Sequence, residues 1–290
     1  MQAFWQSAQR GQLLECPVWC AASNALYWID VVDPSIHRHS FATGEPARWA
    51  LPKPPGSIAL MPEATLLVAL RSSLALLDLH SGALRPVPWH GPALAEDRFN
   101  DGVTDRQGNF WVATMDRKLA QPLGRVFRFD AGLKATAHAI DARLGNGLCF
   151  SPAGERLYVS RTVERDLLVF DVDAQSGALS HRRTLLALDD APGRPDGCTV
   201  AADGTLWSAR VGGGCIDHYA ADGRVLGQLA LPTSHPTHCV FGGEDLRTLF
   251  VVTSRFGPEF AAGHVDDGVA GRVLAYRMDQ PGLPPAQFAR

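Results

Sequence analysis

Six polar residues stand at matching places in this 290-residue chain: Glu15, Ser57, Asn100, Asn146, Asp196 and Thr237. Each lies 11 to 13 residues ahead of the second member of a large apolar pair, the pairs being Tyr27-Trp28, Leu67-Val68, Phe110-Trp111, Leu157-Tyr158, Leu206-Trp207 and Leu249-Phe250. Two carboxylates and two carboxamides brought to one axis make an oxygen-rich cluster of the kind hard divalent cations prefer, with charge enough to balance a doubly charged ion. The plainer reading is that Asn100-Asp101-Gly102, Asn146-Gly147 and Asp196-Gly197 are turns, because these are ordinary turn signals. Their shared register argues against it. Apolar runs such as Leu148-Cys149-Phe150 and Cys198-Thr199-Val200 follow them directly, and other segments supply the turns. Glu15, between Leu14 and Cys16, is harder still to place on a solvated surface. A carboxylate buried there without a partner is costly, and a bound cation removes that cost.

The elements that position these residues follow from the apolar pairs. Their second members are 40, 43, 47, 49 and 43 residues apart, a repeat in the range that marks propellers and solenoids. A polar or acidic turn precedes each pair, as in Asp105-Arg106-Gln107-Gly108 and Ser151-Pro152-Ala153-Gly154, and a further strand and turn follow it. Gly and Pro, 28 and 20 in number, are spread along the chain and disfavour long helices. The longest stretch free of both, Glu155–Ser176, reads as two strands about the charged turn Glu164-Arg165-Asp166. The expectation is an all-β, six-bladed β-propeller with four-stranded blades, one domain over residues 1–290. The sixth repeat has strands near His238–Phe241, Leu249–Thr253 and Arg272–Tyr276, then a tail with Pro281, Pro284 and Pro285. Proline cannot donate to a ladder, so Ala3–Ser7 is expected to supply the missing strand and close the ring. The polar positions then fall on the innermost strands, at one mouth of the central channel.

Bulk properties narrow the function. With 46% hydrophobic and 20% charged residues the chain is in the globular range. A net charge of -3 without a basic run disfavours nucleic acid as a partner. No apolar stretch approaches the roughly 18 residues needed to span a bilayer, and Met1–Gly11 is too polar for a signal peptide; no membrane partner is expected, and the location is expected to be cytoplasmic. The six cysteines contain no CxxC pair, and Cys16, Cys149, Cys198 and Cys239 sit in apolar runs. Among the histidines, none forms an HExxH or inner-strand HxH pair, His37 and His39 are expected on an outer strand, and His235 and His238 flank Thr237 near the channel mouth.

At several of these residues the sequence resembles the family of senescence marker protein, regucalcin and the gluconolactonases. The segments are Glu15-Cys16-Pro17-Val18-Trp19, Arg98-Phe99-Asn100-Asp101-Gly102, Asn146-Gly147-Leu148, Pro195-Asp196-Gly197-Cys198 and Cys239-Val240-Phe241-Gly242-Gly243, an ordered set from about Leu14 to Tyr276. The resemblance implies a six-bladed propeller with one divalent metal ion (Ca, Zn, Mn, Mg or Fe(II)) held by Glu15, Asn146 and Asp196. It also implies that Arg98 and Asn100 contact a small-molecule sugar lactone. Two departures bear on substrate preference. Thr114-Met115 leads into Asp116-Arg117-Lys118 where regucalcin-type members often carry acidic residues, and Arg161-Thr162 stands where relatives commonly place Asp-Ser or Asp-Thr.

Lactone hydrolysis needs a polarised carbonyl, an activated water and a stabilised oxyanion, and one divalent ion assists all three. Asp196 is the expected general base beside the cation, and Arg98 offers planar donors to the substrate. The alternatives are a calcium-dependent organophosphate-type phosphoesterase, for which Glu15, Asn100, Asn146 and Asp196 form a four-ligand set, and a calcium-binding propeller without enzymatic activity.

Overall fold

The structure, a computed structural model, describes residues 1–188, 190–257 and 264–289. It is all-β, with no helix among the described residues and hence none long and apolar enough to cross a membrane. After β1 (Trp5–Gln6), blade one comprises β2 (Leu14–Cys20), β3 (Ala25–Asp30), β4 (Ser35–Ser40) and β5 (Pro46–Ala50). Blade two is β6 (Pro55–Met61), β7 (Thr65–Leu70), β8 (Ser73–Asp78) and β9 (Leu84–Val87). Blade three is β10 (Asp97–Thr104), β11 (Phe110–Asp116), β12 (Arg125–Phe129) and β13 (Ala135–Ala139). Blade four is β14 (Gly145–Phe150), β15 (Arg156–Arg161), β16 (Asp166–Val172) and β17 (Leu179–Ala187). Blade five is β18 (Arg194–Val200), β19 (Leu206–Val211), β20 (Cys215–Tyr219) and β21 (Val225–Ala230). Blade six is β22 (Pro236–Gly242), β23 (Thr248–Thr253), β24 (Val273–Arg277) and, antiparallel to β24, β1 from the opposite end of the chain.

All six apolar pairs fall on the second strand of their blades, which explains why they carry the repeat. That strand is covered on both faces, and side chains alternate between them. In β7, Leu66, Val68 and Leu70 pack toward blade one with Tyr27, Ile29 and Ile36, while Leu67 and Ala69 pack toward blade three with Phe99, Phe110 and Phe127. The core is therefore divided into six interblade layers, each sealed by two neighbouring second strands. Each large side chain so buried contributes about 1.5–3 kcal/mol.

Closure rests on a short strand with long reach. Trp5 of β1 packs its ring 4.8 Å from His39 and 5.1 Å from Phe41 of the first repeat, and 6.5 Å from Phe250 of blade six. Arg272 donates to the Ser7 and Ala8 carbonyls at 2.6 and 2.8 Å. The proline-bearing tail forms no strand. It crosses the channel end opposite the polar positions, bonding turns of different blades: Ala202 N to Pro281 O, Gly282 N to Leu246 O, Phe288 N to Leu60 O and Ala289 N to Gly108 O, all at 2.8–2.9 Å. Phe288 is fully buried in the layer between blades two and three.

Candidate functional site

Every inner strand carries one residue more than its partner at the site position. In blade one, Glu15 pairs with Ile29 and the next pair is Val18 with Tyr27. The same three-for-two step occurs between Phe99 and Gly102, between Asn146 and Cys149, and between Pro195 and Cys198. Blades two and six have a two-for-one step, between Pro55 and Ser57 and between Pro236 and His238. Bulges of this kind bend a strand and re-aim its side chains. The Asn-Gly and Asp-Gly pairs are thus parts of bulged strands, where the sequence also permitted turns. Gly147 takes φ +56°, and a Cβ on it would run into Ser160 Oγ and the Asp196 carbonyl. A Cβ on Gly197 would strike the His238 ring.

The four three-for-two bulges bring Glu15, Asn100, Asn146 and Asp196 to one pocket of about 60 Å³, where Arg98, Thr162 and Thr237 join them. Leu13, Val31, Met115, Leu144 and Val211 form its apolar rim. Ser57 does not join: its buried hydroxyl donates to Gly102 O at 3.3 Å. Thr237 reaches the pocket, but its hydroxyl donates to the carbonyls of Leu14 and Val252. A larger cavity, about 720 Å³, lies outside the channel against Met1–Gln6 and is lined by no carboxylate, histidine, lysine or arginine.

A carboxamide chain runs through the pocket. Arg98 Nη1 donates to Phe99 O at 2.9 Å and to Asn100 Oδ1 at 3.3 Å. Asn100 Nδ2 donates to Asn146 Oδ1 at 2.6 Å and to Gly145 O at 3.1 Å, and Asn146 Nδ2 donates to Thr162 Oγ1 at 3.0 Å. The carboxylates have no such company. Glu15 Oε2 accepts one long bond from the Cys16 backbone at 3.4 Å, and Asp196 Oδ1 is buried without a hydrogen-bond partner among the described residues. Burial first, then repulsion from Asp101, push the Glu15 carboxyl up to about 7, against an opposing pull from His238. Burial, then Glu15 and Asp101, push Asp196 well up as well. Two desolvated carboxylates lining one pocket are a donor pair that fits a divalent ion. Among the described residues no three His, Cys, Asp or Glu side chains form a metal-ligating group. Beside the two carboxylates, the pocket offers side-chain oxygens from Asn100, Asn146, Thr162 and Thr237 as further ligands. Arg98 is itself lowered to about 10, by burial and then by the Arg71 charge, with Arg117 adding to the effect and Glu15 opposing it.

One layer further along the channel lies a group that the sequence reading passed over. Asp101, inside the bulge after Asn100, accepts from Leu148 N at 2.9 Å, Gly102 N at 2.8 Å and Cys16 Sγ at 3.1 Å, and sits 3.3 Å from His238 Nε2. Burial alone would raise it, yet the His238 charge and these bonds hold it below the usual carboxylate range. Asp101 in turn raises His238 against the effect of burial. The signal was the acidic residue in Asn-Asp-Gly, hidden because that tripeptide reads as a turn. Deeper still, Cys198 Sγ donates to Gly147 O at 2.8 Å and lies 2.9 Å from Cys149 Sγ; all six thiols are free. Of the two departures noted in the sequence, Arg161 is tied to Asp166, whereas Arg117 is exposed and makes no side-chain bond among the described residues.

Residues 13–255 match the family model described as the SMP-30/Gluconolactonase/LRE-like region. The chain is 37% identical over 284 residues to 6-deoxy-6-sulfogluconolactonase of Pseudomonas putida, covering 97% of this chain and 96% of that one. It is 32% identical over 292 residues to L-arabinolactonase of Azospirillum brasilense, covering 99% and 96%. Among solved structures it superposes on a calcium-binding protein, regucalcin, from Agrobacterium tumefaciens, with a TM-score of 0.88, 25% identity and coverage of 98% and 96%. The chain belongs to the SMP-30/gluconolactonase/LRE-like family.

Proposed function

We propose that this member of the family is a metal-dependent hydrolase that opens a sugar lactone to its aldonic acid, acting as one propeller domain. Its family and its lactonase relatives support the reaction class. The observation that carries the metal is the buried, partnerless Asp196 Oδ1 facing a second desolvated carboxylate, Glu15. Glu15, Asn146 and Asp196 would hold a divalent cation, which when bound supplies Lewis-acid polarisation of the carbonyl and makes water more acidic.

The chain's own residues do the rest. Asp196 takes a proton from the water that attacks the lactone carbonyl carbon. As the ring C–O bond breaks, that proton goes to the departing oxygen, so that the product is the open hydroxy acid. Arg98 and Asn100 orient the ring, and the apolar rim of Met115, Leu144 and Val211 limits bulk water around it. Arg98 is hydrogen-bonded to Asn100 and Asn100 to Asn146, which suits Asn100 to aligning the ligand shell and the substrate.

The test is turnover of an aldonolactone, followed by proton release, in protein stripped with chelator and then reloaded with Ca, Zn, Mn, Mg or Fe(II). The expected result is loss of turnover on stripping and recovery with one ion per chain. Equal turnover in both states would overturn the metal assignment. Hydrolysis of a phosphotriester but of no lactone would overturn the substrate class. Asn100→Ala is expected to keep its metal and lose efficiency; weakened metal affinity in that variant would favour the four-ligand set.

A further inference from the structure

Three arginines gather at the blade-three side of the pocket. Arg98 lines it directly. Arg71, just past β7, is fixed beside it by its carbonyl, which accepts from Phe99 N at 3.0 Å. Arg117, just past β11, is fixed on the other side by its backbone N–H, which donates to Glu96 O at 3.1 Å. Arg98 pairs across the strands with Met115, two residues before Arg117.

None of these guanidiniums has an ion-pair partner among the described residues. Other arginines do have carboxylate partners. Arg125 is paired with Asp97 at 2.7 Å, Arg143 with Glu164 at 3.0 Å, Arg210 with Asp217 at 2.6 Å, and Arg161 with Asp166. Two nearby carboxylates are already committed. Asp97 is held by Arg125 and Thr114, and Asp116 accepts the backbone N–H groups of Lys118, Ala120 and Gln121. The exposed Glu96 makes no ion pair among the described residues. The main chains of Arg71 and Arg117 are tied to the segment that carries Arg98, and after burial both of their charges act against the Arg98 charge, with Glu15 opposing. Guanidinium forks match the geometry of phosphate, sulfonate and carboxylate oxygens, and an oxyanion between them relieves the repulsion.

We propose that Arg71, Arg98 and Arg117 form an oxyanion subsite, and that the preferred substrate is a sugar lactone carrying a phosphate, sulfonate or carboxylate on the carbon farthest from the lactone carbonyl. The inference deepens the lactonase reading and rests on it. Arg98 belongs to both parts of the site and is the joint between them. Arg71 and Arg117 are exposed and serve the anion alone.

The experiment compares kcat/KM of the metal-loaded protein for glucono-1,5-lactone with that for lactones of the same sugar bearing a 6-phosphate, a 6-sulfonate or a 6-carboxylate. The expected result is a preference of about 10-fold or more for at least one anionic lactone, weakening as salt is raised. The anion with the largest ratio identifies the source. Arg71→Glu and Arg117→Glu should each lower that ratio by about 10-fold or more, while Arg117→Lys, which keeps the charge but loses the planar fork, lowers it less. Arg48→Glu, in the outermost strand of blade one, controls for net charge and should leave the ratio where it is. Ratios near one for all three anions, or ratios that charge reversal at 71 and 117 does not move, would overturn the subsite and leave the lactonase reading intact. Hydrolysis of no lactone, neutral or anionic, would overturn the lactonase reading and the subsite with it.

Discussion

Asp196 and Asp101 are both buried carboxylates on inner strands of the same channel, one layer apart, and they are treated in opposite ways. Asp101 has a charge partner in His238 and hydrogen bonds from Cys16, Gly102 and Leu148. Asp196 has one oxygen with no partner among the described residues and Glu15 as its carboxylate neighbour. A buried carboxylate left unpaired costs several kcal/mol, which protonation or a cation must relieve. The deeper layer is complete in protein atoms alone and acts as a brace. The layer at the mouth leaves a buried carboxylate oxygen without a partner among the described residues, and that is where the proposed cation would sit.

The sharpest way to break this comparison is Asp196→Asn. It should lower kcat/KM by about 10²–10⁴-fold, as loss of a general base and a metal ligand requires. The stability of the metal-free protein should hold or rise, because an unpaired buried charge has been removed. A steady-state assay read beside a thermal melt of the stripped protein checks both; a large fall in Tm would mean that Asp196 is a structural residue.

Asp101→Ala should do the reverse. Leaving His238, Leu148 N and Cys16 without their acceptor should destabilise the fold by about 3–5 kcal/mol. Denaturant unfolding measures it, and a midpoint equal to that of the parent would mean that the deeper layer is not a brace.

Ring closure sets the scale of an ordinary structural loss. Deleting Met1–Ser7 removes β1, its contacts through Trp5 and the Arg272 bond to Ser7. A loss of two or three kcal/mol should lower Tm by about 5–10 °C. An unchanged melt would show that blade six closes without its borrowed strand.

Arg98→Ala is the mildest of the four. It should retain the metal and lose about 10- to 100-fold in kcat/KM, the value of one charge-assisted contact worth about 1.5–3 kcal/mol. Weakened metal affinity in this variant would blur the division between ligand shell and substrate contact.

The ring could be read from the sequence because the second strand of each blade is covered on both faces, so that Tyr27-Trp28 and its five counterparts are apolar without interruption. The pocket residues were readable for a related reason. Glu15, Asn100, Asn146 and Asp196 share a position in the repeat, and four bulges of one kind aim them at one point. Ser57 shares that position but follows a different bulge, between Pro55 and Ser57, and its hydroxyl goes to Gly102 O. His238 was placed near the channel mouth, but its pairing with Asp101 was not foreseen because it depends on contacts between blades three, one and six, which no local pattern encodes. The path of the tail was missed likewise, since its anchor is a single aromatic residue, Phe288, in a segment without periodicity.

The central claim is that the unpaired carboxylates at the channel mouth hold a catalytic cation. Calorimetric titration of a divalent ion into stripped parent, Asp196→Asn and Asp101→Asn proteins, with lactone turnover followed on the same samples, tests it directly. The account predicts one ion per chain in the parent, turnover rising with occupancy, affinity lower by about 100-fold or more in Asp196→Asn, and a far smaller change in whatever fraction of Asp101→Asn remains folded. Binding and turnover in Asp196→Asn equal to those of the parent would contradict it.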